Sequence, residues 1–285
     1  MLLVLTGLAP TAAAGPQTRR FVLGHGLSVA APAPGYGVVA SAITSSGKDM
    51  ELVLETGADG VTRDVTAAAE IRGTAQSSGA TIAGGSDACD DAAYHLLPMK
   101  WKSSWNWWFQ YRSTPSEIIR RAAESGLRSA VASITGERND CGRPDTVNAR
   151  SKYQGRTTRP PGVTSEGGCG PQDGWSVVGF GSLPTGVLAL TCTLYQKVTG
   201  VDTAVESDVL INKQRFTWAT SPANCSNGEI MLRSVATHEF GHVFGLNHVA
   251  RPVDHSLTMF PSVAPCDSSK FTLGLGDMLG LERRY

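Results

Sequence analysis

The sequence predicts an α+β fold, and three observations lead there. Apolar, β-branched runs such as "WSVVGFG", "VLALTCTLY" and "SDVLINKQRFTW" are separated by glycine-containing turns. Two stretches, near 114–137 and 229–246, instead repeat apolar residues at helical spacing. The resulting order of strand, helix, several strands and helix lacks the regular alternation of a βαβ protein.

Taken in order, the chain opens on "MLLVLTGLAPTAAAGP", an apolar run closed by small residues, with Ala12 and Ala14 placed as a cleavage signal. A signal peptide over 1–14 and a secreted mature chain are expected. No other stretch approaches the ~18 apolar residues that would cross a bilayer, so no membrane association is expected. Residues 21–72 alternate as strands do, in "YGVVASAI" and "ELVLETGADGVTRDVTA", with Ala58-Asp59-Gly60 as a turn between them. The Gly/Ser/Ala-rich "GTAQSSGATIAGGSD" then reads as a linker with a boundary near residue 85. Residues 15–85 are therefore expected to be a β-rich propeptide or accessory segment with its linker, and 86–285 the main domain.

Within that domain "WNWWFQYR" has strand composition. A long amphipathic helix follows, expected to start with Thr114 as N-cap, Pro115 in its first turn and Glu117 completing a capping box. Its apolar face is Ile118, Ile119, Ala122, Ala123, Leu127, Ala130, Val131 and Ile134. Residues 137–174 are polar and rich in Gly and Pro, after which come the three apolar strands and a second helix over about 229–246.

Composition narrows the function. At 285 residues and 41% hydrophobic content the chain can bury a substantial core. Twenty-five basic residues balance 25 acidic ones, so no basic stripe invites a phosphate backbone and nucleic acid is not an expected partner. Six cysteines, Cys89, Cys141, Cys169, Cys192, Cys225 and Cys266, form an even set without a C-x-x-C pair. In an exported chain that favours three disulfides. Cys225 and Cys266 bracket the second helix, and joining them would stabilise the fold by about 4 kcal/mol in the chain-entropy model.

The second helix carries "HEFGHVFGLNH". Residues four apart share a helix face, so His238 and His242 can offer imidazole nitrogens to one metal ion. Gly245 permits the left-handed backbone that ends the helix, letting His248 approach the same point from another direction. Imidazole suits zinc, and three ligands leave a fourth corner for water, the arrangement of a catalytic site. Glu239, next to the first ligand, is the candidate general base.

This H-E-x-x-H-x-x-G-x-x-H pattern, followed by "LTMFP" and the C-terminal "LGLGDMLGLERRY", resembles the metzincin zinc metalloproteases and within them the matrixins. The resemblance implies a twisted mixed sheet with a long helix and a zinc-binding active-site helix, preceded here by the β-rich segment. It also implies one catalytic Zn2+ on His238, His242 and His248, with Glu239 as base and Met259 as the floor beneath the metal. Asp277 would support the Met259 turn, with an exposed helix cap as the competing role. By the same analogy an extended substrate would add to a sheet edge, expected at "SDVLINK".

The chain departs from the family at several points. Val249 stands after the third histidine, where matrixins usually carry Ser, and Phe260 and Pro261 follow the methionine, so no tyrosine hydroxyl follows it. Outside the motif only His25, His95 and His255 remain, unclustered, which gives no second zinc site. Calcium is possible at "SEGGCGPQDG", but a solvated polar loop is the preferred reading. "CGRPD" at 141–145 resembles the segment with which matrixin propeptides block zinc, yet using Cys141 as a thiol would strand an odd cysteine, so a disulfide is expected. The function expected is a secreted, monomeric zinc endopeptidase acting on polypeptides. The alternative is a secreted metal-binding interaction protein without turnover, against which Glu239 argues, since mere binding needs no base.

Overall fold

The computed structural model describes residues 20–24, 27–69, 71–74, 88–226, 228–249 and 254–285. The expected leader and most of the linker around residue 85 lie outside the described residues.

The alternating and β-branched runs form strands. In chain order these are β1 (Arg20–Gly24), β2 (Leu27–Ala30), β3 (Tyr36–Thr44), β4 (Glu51–Thr56), β5 (Thr62–Asp64), β6 (Ile71–Thr74), β7 (Ala93–Leu96) and β8 (Met99–Lys100). They continue with β9 (Trp105–Phe109), β10 (Ser151–Arg156), β11 (Ser176–Gly181), β12 (Val187–Gln196), β13 (Asp202–Asn212), β14 (Trp218–Ala219), β15 (Ile230–Met231) and β16 (Leu246–Asn247). The helices are α1 (Thr66–Ala69), α2 (Arg120–Thr135), α3 (Leu232–Val243) and α4 (Leu275–Arg284).

The main sheet is mixed, in the order β10-β9-β11-β13-β12-β3-β4-β5, with β8 also on β13. From β10 to β13 neighbours run parallel, and from β13 onward every pair is antiparallel. This is the α+β class and mixed sheet expected. Helices α2 and α3 cover one face, where Trp105, Trp107, Val178 and Ile211 meet Leu127, Ile134, Phe240 and Phe244. On that face Trp105 and Trp107 stack with centroids 5.4 Å apart, and Trp105 lies the same distance from Phe240. The opposite face packs Val38, Ala40, Ala42, Leu52 and Leu54 with Leu190, Leu210 and the Cys169–Cys192 disulfide.

Of the described strands before residue 85, β3, β4 and β5 belong to the main sheet, while β1 and β2 pair with each other. β3 lies between β12 and β4 inside the main sheet, because its alternate side chains are apolar on both faces and each face meets one of the two cores. The edge expected at "SDVLINK" is also corrected: β13 sits between β11 and β12, with both its edges paired.

The first long helix begins at Arg120 rather than at Thr114. The Thr114 hydroxyl turns back to the Tyr111 carbonyl at 2.9 Å, so it caps no amide ahead of it. Ile119 keeps an extended backbone and leaves its side chain 74% exposed, outside the apolar face assigned to it. The second helix is shorter than 229–246, because Ile230–Met231 pair as a strand with Trp218–Ala219 and Leu246–Asn247 pair with β7.

Helix α4 closes the domain against β7 through a backbone-to-backbone contact. Gly276 donates to Asp91 O at 2.7 Å, and any Cβ there would collide with the Ala93 carbonyl. Gly276→Ala is expected to lower stability by about 1–3 kcal/mol, the usual cost of overpacking. Urea unfolding of the metal-free chain measures it as a lowered midpoint with an unchanged slope.

Candidate metal centre

Helix α3 is buried on nearly all sides, between the sheet, α2 and the segment after Cys266. His238 and His242 lie one turn apart on it. After Phe244 the chain reverses at Gly245, whose φ of +88° suits glycine, and a Cβ there would collide with Met99 O. Leu246–Asn247 then pair with Leu96 and His95, and this short strand carries His248 back toward the helix.

The three rings converge. Nε2 of His238 lies 3.1 Å from Nε2 of both His242 and His248, and the latter two are 3.0 Å apart. Each Nδ1 faces an oxygen: Thr258 O at 2.8 Å from His238, Leu246 O at 3.0 Å from His242, and Asp49 Oδ1 at 2.7 Å from His248. A carbonyl oxygen has no proton to give, so the ring proton of His238 and His242 sits on Nδ1 and donates outward. Neutral rings thus turn bare Nε2 lone pairs toward one point. Burial, then the neighbouring histidines, push the pKa of His238 well below its ordinary value, and burial followed by His248 does the same to His242. Three lone pairs at such separations repel unless a cation lies among them, and one ion at the usual 2.0–2.1 Å zinc–nitrogen distance fits the triangle. Among the described residues these histidines form the group of three that could hold a metal.

Glu239 is fully buried beside them. Its Oε2 accepts a short hydrogen bond from Thr191 Oγ1 of β12, and Oε1 has no hydrogen-bond partner. Burial raises its pKa to about 8, against the opposing pull of Thr191 and of the Ile43 backbone amide that faces it. The free Oε1 is a fully buried polar atom on the residue next to the first histidine.

A floor supports the histidines. Met259 packs its sulfur where a Cβ on Gly241 would otherwise lie, so the glycine in "HEFGH" makes room for it. Asp277, 2% exposed, accepts from the amides of Thr258 (2.8 Å), Met259 (3.1 Å) and Gly274 (2.9 Å). It therefore holds the turn and the start of α4 together, and it is not the exposed cap weighed as its competing role. The Thr258 carbonyl in this turn is the oxygen that orients His238. Val249 is buried and donates its amide to Met259 O at 3.1 Å. Lys270, also buried, sends Nζ to the carbonyls of Phe260 and Ser262, and burial lowers its pKa to about 8. The Cys225–Cys266 disulfide joins the chain before α3 to the chain after the turn, and Cys141 pairs with Cys89. Beside the loop considered for calcium, Glu206 accepts from the amides of Asp173 and Gly174, and Asp208 from that of Val177.

No local pattern in the sequence points to Asp49, Thr191 or Lys270. Asp49 comes from a polar turn and Thr191 from an apolar run, and only long-range pairing brings either to the histidines.

Residues 184–285 match the family model described as Matrixin. The resemblance read from "HEFGHVFGLNH" and "LTMFP" thus extends over the C-terminal part of the chain, and the match supports a zinc metalloprotease. No curated protein matches the chain closely enough to count as a relative.

Replacing Asp277 by Ala would leave three buried amides without an acceptor, at about 1–3 kcal/mol each. The expected outcome is a markedly lower urea midpoint together with zinc affinity weakened about 10–100-fold, as for other groups that orient ligands. Asp277→Asn, which keeps one acceptor oxygen, should lose less of both. Competition with a chromophoric chelator reads the affinity.

Proposed function

We propose that this chain is a secreted zinc-dependent endopeptidase in which His238, His242 and His248 hold the metal and Glu239 is the general base. The observation that carries the reading is the set of three bare Nε2 atoms, fixed by outward-facing Nδ1 contacts, beside a buried carboxylate with one oxygen unpartnered. A zinc ion held there would polarise a scissile carbonyl, acidify a water and draw Glu239 back toward its ionised form.

The chain's own residues supply the rest. Glu239 takes the proton of the attacking water and passes it to the leaving amine, while the Thr191 hydroxyl fixes the carboxylate's orientation through Oε2. Asp49 accepts from Nδ1 of His248, and the Thr258 and Leu246 carbonyls do the same for the other two rings, which keeps each ring in the ligating tautomer. Met259 and Gly245 shape the floor and the turn, and Asp277 holds the floor in place. With no tyrosine after Met259, stabilisation of the carbonyl oxygen would rest on a bound zinc ion and on backbone amides.

Export is supported by the leader-like start at 1–14, by three disulfides, and by the lack of a helix long and apolar enough to cross a membrane among the described residues. The metal ligands and base all fall within 86–285, the expected catalytic domain. A monomer acting on polypeptides, without nucleic acid or membrane partners, completes the reading.

With unfolded casein as substrate, Glu239→Gln is expected to lower turnover about 10²–10⁴-fold, the range of general acid–base catalysis, while one zinc per chain is retained. Dialysis against a chelator should abolish cleavage, and zinc should restore it. A folded, zinc-loaded chain that leaves casein intact under every condition would favour the interaction protein instead.

A further inference from the structure

The even balance of 25 basic and 25 acidic residues hides a local excess. Three adjoining clefts of about 1020, 450 and 410 Å³ lie along the outer side of α2, joined through shared walls at Arg120, Arg121 and Arg156. Six exposed arginines line them, Arg112, Arg120, Arg121, Arg128, Arg138 and Arg156, against one acid, Glu124. That acid is already committed. Its Oε2 accepts from Arg156 Nη2 at 2.6 Å and its Oε1 from the Tyr153 hydroxyl at 2.6 Å, and the Arg156 bond holds the carboxyl below its ordinary pKa. Arg156 also lies over the Tyr111 ring, 3.7 Å from its centroid. Among the described residues no carboxylate comes within ion-pair distance of the other five arginines. Two of them stand where the helix itself disfavours them, since the first turn of α2 carries Arg120 and Arg121 and no acid, against the helix dipole. Charges kept side by side and unpaired, at a local cost, mark a surface suited to an anion.

Shape and one apolar side chain narrow the kind of anion. The arginines line clefts, and a flat bilayer would meet the rims of such a groove rather than its walls. Ile119, 74% exposed, lines one cleft with Tyr111 and Ile118, beside Arg120 and Arg121. An apolar contact at that place offers nothing to a sulfated sugar or a phosphate backbone, whereas it suits an apolar side chain, and guanidinium forks match carboxylates. We propose that the outer side of α2 is a docking groove for an acidic segment of a polypeptide partner, whose carboxylates meet Arg112, Arg120, Arg121 and Arg128 while one apolar side chain covers Ile119. The groove shares no residue with the metal centre, and the inference goes beyond the peptidase reading without depending on it.

Fluorescence anisotropy with the zinc-loaded full chain tests this. Every sample carries Glu239→Gln so that the probe stays uncut, and the probe is a labelled short peptide of glutamates around one central leucine. The double variant Arg112→Glu, Arg120→Glu reverses two exposed, unpaired charges. Its control, Lys102→Glu with Arg283→Glu, changes the net charge equally at exposed residues that line none of the three clefts. Ile119→Ser removes the apolar contact, and one zinc per chain shows that each variant is folded. The expected result is binding that weakens with added salt, at least about tenfold weaker in the arginine variant and about threefold or more weaker in Ile119→Ser, with the control within about twofold of the parent. Equal binding by the arginine variant and its control would overturn the proposal, because the probe would then read net charge alone. So would a glutamine version of the probe that binds as well as the glutamate one. A sulfated oligosaccharide or a phosphatidylserine vesicle that binds more tightly than the peptide, indifferent to Ile119→Ser, would overturn it in favour of that other partner.

Discussion

The centre depends on one constraint, that each imidazole is held from behind. A histidine nitrogen is useful to a metal only when it carries no proton, and the proton must therefore have somewhere else to point. Here two backbone carbonyls and one carboxylate take it, at 2.8, 3.0 and 2.7 Å. Burial reinforces this by disfavouring the charged ring, as the lowered pKa values of His238 and His242 show. The same outward contacts that fix the tautomers also fix the ring planes, so convergence and ligating chemistry have a common origin.

Those contacts come from parts of the chain far apart in sequence, and much of the C-terminal fold serves to bring them together. Leu246 O is local, since it belongs to the turn that Gly245 permits. Thr258 O is not, and it is held by the three amides gathered on Asp277 and by Met259 seated against Gly241. The Cys225–Cys266 bond closes this loop from outside, and Lys270 ties down the carbonyls that follow the turn.

How much of this was legible in the sequence follows from the range of each interaction. His238, Glu239, His242, Gly245 and His248 are related by a helix period and one turn, so spacing alone relates their positions, and Met259 and Asp277 came through likeness to a family. The Cys225–Cys266 pairing was legible because it brackets the motif. Strand composition was legible too, but strand partners were not: "YGVVASAI" reads as a strand without saying that it lies on β12, and the edge that family likeness put at "SDVLINK" is paired on both sides. Thr114 shows the local failure. A capping signal states which acceptor is present, whereas the Tyr111 carbonyl behind it decided where the hydroxyl went.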